Sequence, residues 1–189
     1  RIFEKDKSEY TFRTINSLVR SLKFGEKFLK NIKIRFHVID HNSKDGDLEK
    51  IRNILNSANI EFDITNLNLE KFTQIKTLDK GNLIIENNMK ATMASIFTSF
   101  NIAKKNCGDL IYFVEDDYIH EDDALIEMIY TYQKISSQLK DELVLCSTDY
   151  PYLYVEAENT RNFIGFKKHW RLINQSLCTY LISKQTLQK

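Results

Sequence analysis

The run Asp109-Leu110-Ile111-Tyr112-Phe113-Val114-Glu115-Asp116-Asp117 joins a continuous apolar stretch to three adjacent acids. An unbroken apolar and aromatic run of this length reads as a strand buried on both faces. The acids directly behind it repel one another unless something positive compensates them. A hard divalent cation does so, since Mg2+ and Mn2+ prefer carboxylate oxygen and Mg2+ takes only one or two protein carboxylates, leaving its other positions to water and phosphate. The alternative is a solvated acidic helix start, favoured by the dipole of the helix that follows. Glu121-Asp122-Asp123 fits that alternative and is assigned no chemistry.

Outward from this run, helical and strand-like segments alternate. Upstream, Met89, Met93, Ile96, Phe97, Phe100 and Ala103 recur at helical spacing over 89–105, and Asn106-Cys107-Gly108 ends that helix. Downstream, Leu125, Ile126, Met128, Ile129 and Tyr132 predict another helix, and Leu143-Val144-Leu145-Cys146 a strand within 141–147. Nearer the start, Ser8 caps a helix through Thr11, Ile15, Leu18, Val19 and Leu22 that closes at Gly25. Ile32 to Ile39 reads as a strand, Asp40 to Gly46 as a polar turn, and Asp47 opens a helix with Leu48, Ile51, Ile54 and Leu55, followed by a strand around 60–64. With Arg1-Ile2-Phe3 read as a strand, the opening is β-α-β-α-β. Parallel strands need crossovers, so this alternation predicts an α/β fold with a mostly parallel sheet and helices on both faces. Ligands of such sheets sit at the carboxyl ends of strands, which directs attention to Ile39-Asp40 and to Val114-Glu115-Asp116-Asp117.

The chain has 189 residues, 42% hydrophobic and 28% charged, with 27 Lys and Arg against 26 Asp and Glu. A chain of this size buries roughly 70% of its unfolded surface and needs no disulfide or metal staple. Its net charge of +1 lacks the basic surplus that broad binding to DNA or RNA requires. No apolar stretch approaches the roughly 20 residues of a membrane span, and no charged-then-apolar leader opens the chain. Cys107, Cys146 and Cys178 stand far apart with no CxxC pair, as small buried thiols of a reducing compartment do. The expected location is cytoplasmic, or peripheral to the inner face of a membrane. With only five glycines and one proline, neither an all-β sandwich rich in tight turns nor a disordered chain is expected.

Two blocks carry a family resemblance. Ile39-Asp40-His41-Asn42-Ser43-Lys44-Asp45-Gly46-Asp47 resembles the "VDDGSTDGT" segment of family 2 glycosyltransferases with the GT-A fold. Asn101-Ile102-Ala103-Lys104-Lys105-Asn106-Cys107-Gly108-Asp109-Leu110-Ile111-Tyr112-Phe113-Val114-Glu115-Asp116-Asp117 is similar to their "N-x-G-x-x-x-A-x-G-D-x-I-x-F-L-D-x-D" stretch. The order and separation of the blocks also match, and the likeness spans 1–148. It implies a metal-dependent transferase that moves a sugar from a nucleotide-diphosphate sugar to an acceptor hydroxyl, in polysaccharide biosynthesis or related glycosylation. Asp40, His41 and Asp45 then belong to the nucleotide-sugar site, with Asp40 toward the base; family members often carry a second Asp where His41 stands. Glu115-Asp116-Asp117 takes the DxD position. The likeness implies Asp117 as the direct ligand of Mn2+ or Mg2+, Asp116 as the ribose and metal-water contact, and Glu115 as a neighbour in the donor site. The Arg that many members carry before the Asn101 position is Phe100 here, and Lys80 or Lys90 is the substitute considered for the diphosphate.

Residues 149–180 are rich in aromatic and polar side chains: Asp149-Tyr150-Pro151-Tyr152-Leu153-Tyr154, Phe163, Phe166, His169-Trp170-Arg171, Thr179-Tyr180. Sugars stack on aromatic faces, so this region reads as an acceptor wall or as a loop packed by its own rings. His169 is a candidate third metal ligand, and Arg171 a bidentate clamp for a diphosphate. An inverting transferase needs a carboxylate base, for which this region offers Asp149, Glu156 and Glu158. The chain is thus expected to be one GT-A domain over 1–189, with a nucleotide-sugar-binding part at 1–148 and the start of an acceptor part at 149–189. The missing initiating Met and the helical reading of 183–189 suggest a piece of a longer transferase.

Three other readings compete with this one. A phosphoacceptor receiver domain places its acid pair after the first strand, whereas this acidic run follows roughly the fourth. A nucleotidyltransferase of the same fold usually opens with a Gly-rich phosphate loop, and glycines 25, 46, 81, 108 and 165 form neither that nor a GxGxxG site. The last is a non-catalytic nucleotide- or carbohydrate-binding module derived from a transferase.

Overall fold

A computed structural model of the chain describes residues 6–76, 82–148, 150 and 160–189. Along it run α1 (Lys7–Leu29), β1 (Arg35–Asp40), α2 (Asp45–Ser57), β2 (Glu61–Asn66), a 3₁₀ turn (Leu69–Lys71), α3 (Leu83–Asn106), β3 (Leu110–Phe113), α4 (Ala124–Leu139), β4 (Val144–Leu145), β5 (Asn162–Ile164), β6 (His169–Arg171), β7 (Tyr180–Ser183) and α5 (Lys184–Gln188). They divide into two compact units. One takes its described residues from Arg1–Lys33 and Gly108–Lys189, and the other is Ile34–Cys107.

In the first unit, α1 lies against α4. Helix α1 buries Phe12, Ile15, Leu18, Val19 and Leu29 at three- and four-residue spacing, and α4 buries Leu125, Ile126, Met128, Tyr132 and Ile135. Small residues four apart on α1 let the helices approach closely. Ser17 accepts the His120 N–H at 2.9 Å, and Ser21 accepts the Leu125 N–H at 3.1 Å, satisfying a first-turn donor that the α4 cap residue, Asp123, leaves open. A Cβ on Gly25 would stand 2.6 Å from Cγ2 of Ile126. Gly25 therefore serves close packing rather than helix termination, and α1 continues four residues beyond it to Leu29. Likewise the helix begins before Ser8, with Asp6 as its cap.

The sheet of this unit has the order β3-β7-β4, with β7 antiparallel to both neighbours. Strands β3 and β4 consequently run the same way, joined by α4 as a crossover, and β7 is inserted between them. Hairpin β5–β6 is antiparallel as well. The expectation of a mostly parallel sheet is corrected here: among the described residues only β1 and β2 pair in parallel, and the protein is a mixed α/β fold with small sheets. The reason is Tyr180-Leu181-Ile182-Ser183. Its buried Leu181 and Ile182 form the central strand, whereas the sequence reading placed Thr179-Tyr180 in an acceptor wall. A strand of four residues is too short to declare its period. The compact units meet at 33/34 and 107/108, and β7 sits in the sheet that carries the acids.

In the second unit, β1 and β2 pair from Arg35 opposite Glu61 to Asp40 opposite Asn66, linked by α2 with Leu48, Ile51 and Leu55 buried. Opposite charges face each other across this pair: Arg35 meets Glu61 at 2.9 Å and Asp63 at 2.6 Å. Helix α2 starts at Asp45, two residues before the expected Asp47, so both acids lie in its first turn where the dipole favours them. Helix α3 starts at Leu83, six residues before Met89, because the Asn82 side chain accepts the N–H groups of Ile84 (3.0 Å) and Ile85 (3.3 Å). The strand read at Arg1-Ile2-Phe3 falls outside the described residues.

Candidate functional site

Beyond Phe113 at the end of β3, each acid of the run meets a different environment. The Glu115 backbone N–H donates to Oγ1 of Thr179 at 3.1 Å, and that hydroxyl donates to the Glu115 carboxylate at 3.4 Å. Thr179 is only 1% exposed, so this reciprocal pair ties the end of β3 to the start of β7 inside the protein. Burial and then the neighbouring Asp117 charge raise the Glu115 carboxyl above its ordinary range, against the lowering effect of hydrogen bonds from Thr179 and the Cys178 backbone. Asp116 is held from α1: Lys7 Nζ lies 3.3 Å from Oδ2, and the Thr11 hydroxyl donates to the same oxygen at 3.2 Å. Asp117 is exposed, and its carboxylate has no hydrogen bond or ion pair among the described residues.

Aromatic groups and a buried histidine follow at once. The Tyr118 hydroxyl meets that of Tyr150 at 2.5 Å, the rings edge to face with centroids 6.4 Å apart. Burial first, then the Tyr150 contact and the charges of Glu115 and Asp117, raise the Tyr118 hydroxyl well above the ordinary phenol range. His120, 5% exposed, touches Ser17 through Nδ1 at 3.2 Å and Tyr112 through Nε2 at 2.8 Å, and Tyr112 meets Ser147 at 2.8 Å. Burial lowers the imidazole to about 4 and pushes the Tyr112 phenol up to about 12.

A hard cation fits the donor chemistry of this strand end. Asp117 and Asp116 offer adjacent carboxylates, and Mg2+ or Mn2+ needs no more than two from the protein. The set is not gathered further: among the described residues no three His, Cys, Asp or Glu side chains converge as a metal group. His169, the expected third ligand, lies exposed on β6 opposite Ile164 and joins no such group. Arg171 ends the same strand, opposite Asn162.

The remaining candidates distribute as follows. Asp40 is buried at the carboxyl end of β1; its Oδ2 accepts the Ser43 N–H at 3.4 Å, its carbonyl accepts the Leu67 N–H at 2.8 Å, and Asn42 turns the chain at φ 64°. His41 and Asp45 are exposed, the latter on the first turn of α2. These three belong to the second unit. Lys90 and Phe100 lie on α3. Lys80, Asp149, Glu156 and Glu158 fall outside the described residues.

The second acidic run is structural. Asp122 pairs with Arg20, and Lys168 pairs with Glu121 and, at 3.2 Å, with Asp123. Sequence reasoning missed Lys7, Thr11, Ser17 and His120, and it placed Thr179 in an acceptor wall rather than against Glu115. Ser17 and His120 are separated by 103 residues, so no local spacing announces their contact. The one available signal was a His three residues beyond an acidic strand end. The chain gives no significant match to any protein-family model, curated protein or solved structure.

Proposed function

We propose that this chain is a metal-dependent glycosyltransferase of GT-A type, with the acids at the end of β3 as its donor-binding centre. One observation carries the reading: of three adjacent acids at the carboxyl end of a sheet strand, Asp117 is exposed with no partner among the described residues. Strand carboxyl ends are where open α/β sheets bind ligands, and an acid without a protein partner is available to a cation. The crossover from β3 through α4 to β4, and the resemblance of 39–47 and 101–117 to the family's blocks, support the same reading.

In this mechanism Asp117 and Asp116 would hold Mn2+ or Mg2+, which when bound would supply positive charge to offset that of the nucleoside diphosphate leaving group. Glu115, kept less acidic by its surroundings, borders the donor and accepts from Thr179. The family resemblance alone assigns Asp40, in the second unit, to the nucleotide base. The acceptor is a carbohydrate, a lipid-linked molecule or a protein; the base is unassigned, with Asp149, Glu156 and Glu158 as candidates. No helix is long and apolar enough to cross a membrane among the described residues, and a cytoplasmic setting belongs to the proposal.

The test is Asp117→Asn. Thermal shift with a panel of nucleotide sugars, with and without Mn2+, is expected to show metal-dependent stabilisation of the native chain by one nucleotide class and its loss in the variant. Equal binding and equal turnover of both proteins would sink the transferase reading. Binding with no detectable sugar hydrolysis or transfer would leave a non-catalytic binding module.

A further inference from the structure

We propose that the His120 side chain is a positioning residue for the acidic segment, fixing the path of Glu115-Asp116-Asp117 so that Asp117 presents its carboxylate at the strand end. The inference rests on the reading of Asp116 and Asp117 as cation ligands.

Tyr112 stands three residues before Glu115 on β3, and His120 stands three residues after Asp117. Their side chains meet at 2.8 Å, Tyr112 Oη to His120 Nε2, with the rings perpendicular and centroids 5.6 Å apart. This contact closes a loop of chain around the three acids. The far end of that loop is pinned again by its backbone: the His120 N–H donates to Ser17 at 2.9 Å, and Arg20 donates to the His120 carbonyl at 3.2 Å. The near end is pinned at Glu115 by Thr179.

Proton accounting assigns the ring. Ser17 has one hydroxyl proton, accepted by the Thr14 carbonyl at 2.8 Å, so the Ser17–Nδ1 contact needs its proton on Nδ1. Nε2 then carries the lone pair and accepts from Tyr112, whose oxygen in turn accepts from Ser147 at 2.8 Å. Each donor from Ser147 through Tyr112 and His120 to Ser17 has an acceptor, the last being the Thr14 carbonyl, with no charge in the buried interior. At its buried end, His120 and Ser17, such a network specifies one arrangement, because an alternative there strands a polar group. Ser17 is 2% exposed, so water cannot replace a lost partner there without rearrangement.

The experiment uses the full chain with four variants: His120→Ala, His120→Asn, His120→Gln and Tyr112→Phe. Asn keeps a donor near Nδ1 and Gln a polar atom near Nε2. Affinities for Mn2+ alone and for Mn2+ with UDP or GDP are read by calorimetry, and amide exchange over 114–120 is read without ligand. Loss of groups that orient metal ligands costs about 10–100-fold in affinity. That loss is expected for His120→Ala, with partial rescue by Asn, a smaller loss for Tyr112→Phe, and faster exchange over 114–120 in His120→Ala. Wild-type affinity in a folded His120→Ala, beside a wild type that binds, would overturn the inference and leave the transferase reading standing. A wild type that binds neither probe would overturn the transferase reading, and unchanged exchange in His120→Ala and Tyr112→Phe would overturn the brace itself. Should His120→Ala not fold, Tyr112→Phe, which keeps its ring, decides by the same measurements.

Discussion

The indole Nε1 of Trp170 donates to the Glu127 carboxylate at 3.0 Å, inside a cage in which Thr131 (2.9 Å) and the backbone N–H groups of Phe166 (3.1 Å), Lys167 (2.7 Å) and Lys168 (3.2 Å) donate to the same group. Glu127 is 2% exposed and anchors the tip of hairpin β5–β6 to α4. Gly165 makes the approach possible, since a Cβ there would stand 2.5 Å from Cδ1 of Trp170. Lys134 completes the clasp by donating to the Gly165 carbonyl at 3.0 Å.

Glu127→Gln turns one acceptor of this cage into a donor facing donors. The expected loss is about 1.5–3 kcal/mol, the range for hydrogen bonds to a charged group. Burial raises the Glu127 carboxyl, but the Trp170, Lys167, Lys168 and Thr131 bonds outweigh it and hold the group below its ordinary 4.5. A depressed carboxyl contributes stability that is complete above its unfolded value and lost as pH falls through the folded one. Urea melts against pH should therefore show wild-type stability falling below pH 4.5, with a flatter acid limb in Glu127→Gln. Parallel limbs would count against the carboxylate cage.

His120 predicts sensitivity in a higher window. Its imidazole is lowered by burial from 6.5 to about 4, so the neutral ring is favoured in the folded protein. Its contribution is complete above pH 6.5 and is lost as pH falls toward 4, with a limit on the order of 3 kcal/mol. His120→Asn removes this titration, and the stability of the variant should change less than that of the wild type between these limits. A 15N-labelled imidazole titrating near 6.5 in the folded protein would contradict the burial argument.

Much of the fold was legible where apolar spacing is long and uninterrupted. Leu125, Ile126 and Tyr132 marked α4, and Leu48, Ile51 and Leu55 marked α2, because helices of three or more turns repeat their pattern. Gly25 misled because glycine has two uses, and only the neighbouring helix reveals that Ile126 occupies its missing side chain. The antiparallel β7 was hidden by its four residues and by its origin at the far end of the chain. At the site, adjacency in sequence exposed Glu115, Asp116 and Asp117. What distinguishes them, the grip of Lys7, Thr11 and Thr179, comes from residues 64 to more than 100 positions away and has no local signature.

Lys7 supplies a further test of that distinction. Its ammonium lies 3.3 Å from Asp116, with the two side chains 66% and 46% exposed. An exposed pair of this kind contributes about 0–1 kcal/mol and is screened by salt. A cation that binds Asp117 and engages Asp116 must compete with it, so Lys7→Met should tighten Mn2+ alone by up to about fivefold, the equivalent of about 1 kcal/mol. The gain should shrink as ionic strength rises from about 0.01 to 0.15 M, because the screening length falls from roughly 30 to 8 Å. With UDP or GDP present, the sign distinguishes two roles for the same ammonium. If Lys7 only neutralises Asp116, the variant keeps its advantage; if it turns to the diphosphate, the advantage reverses, since a phosphate contact is then lost. Manganese EPR in low salt measures both, and unchanged Mn2+ affinity in the variant would separate Asp116 from the cation.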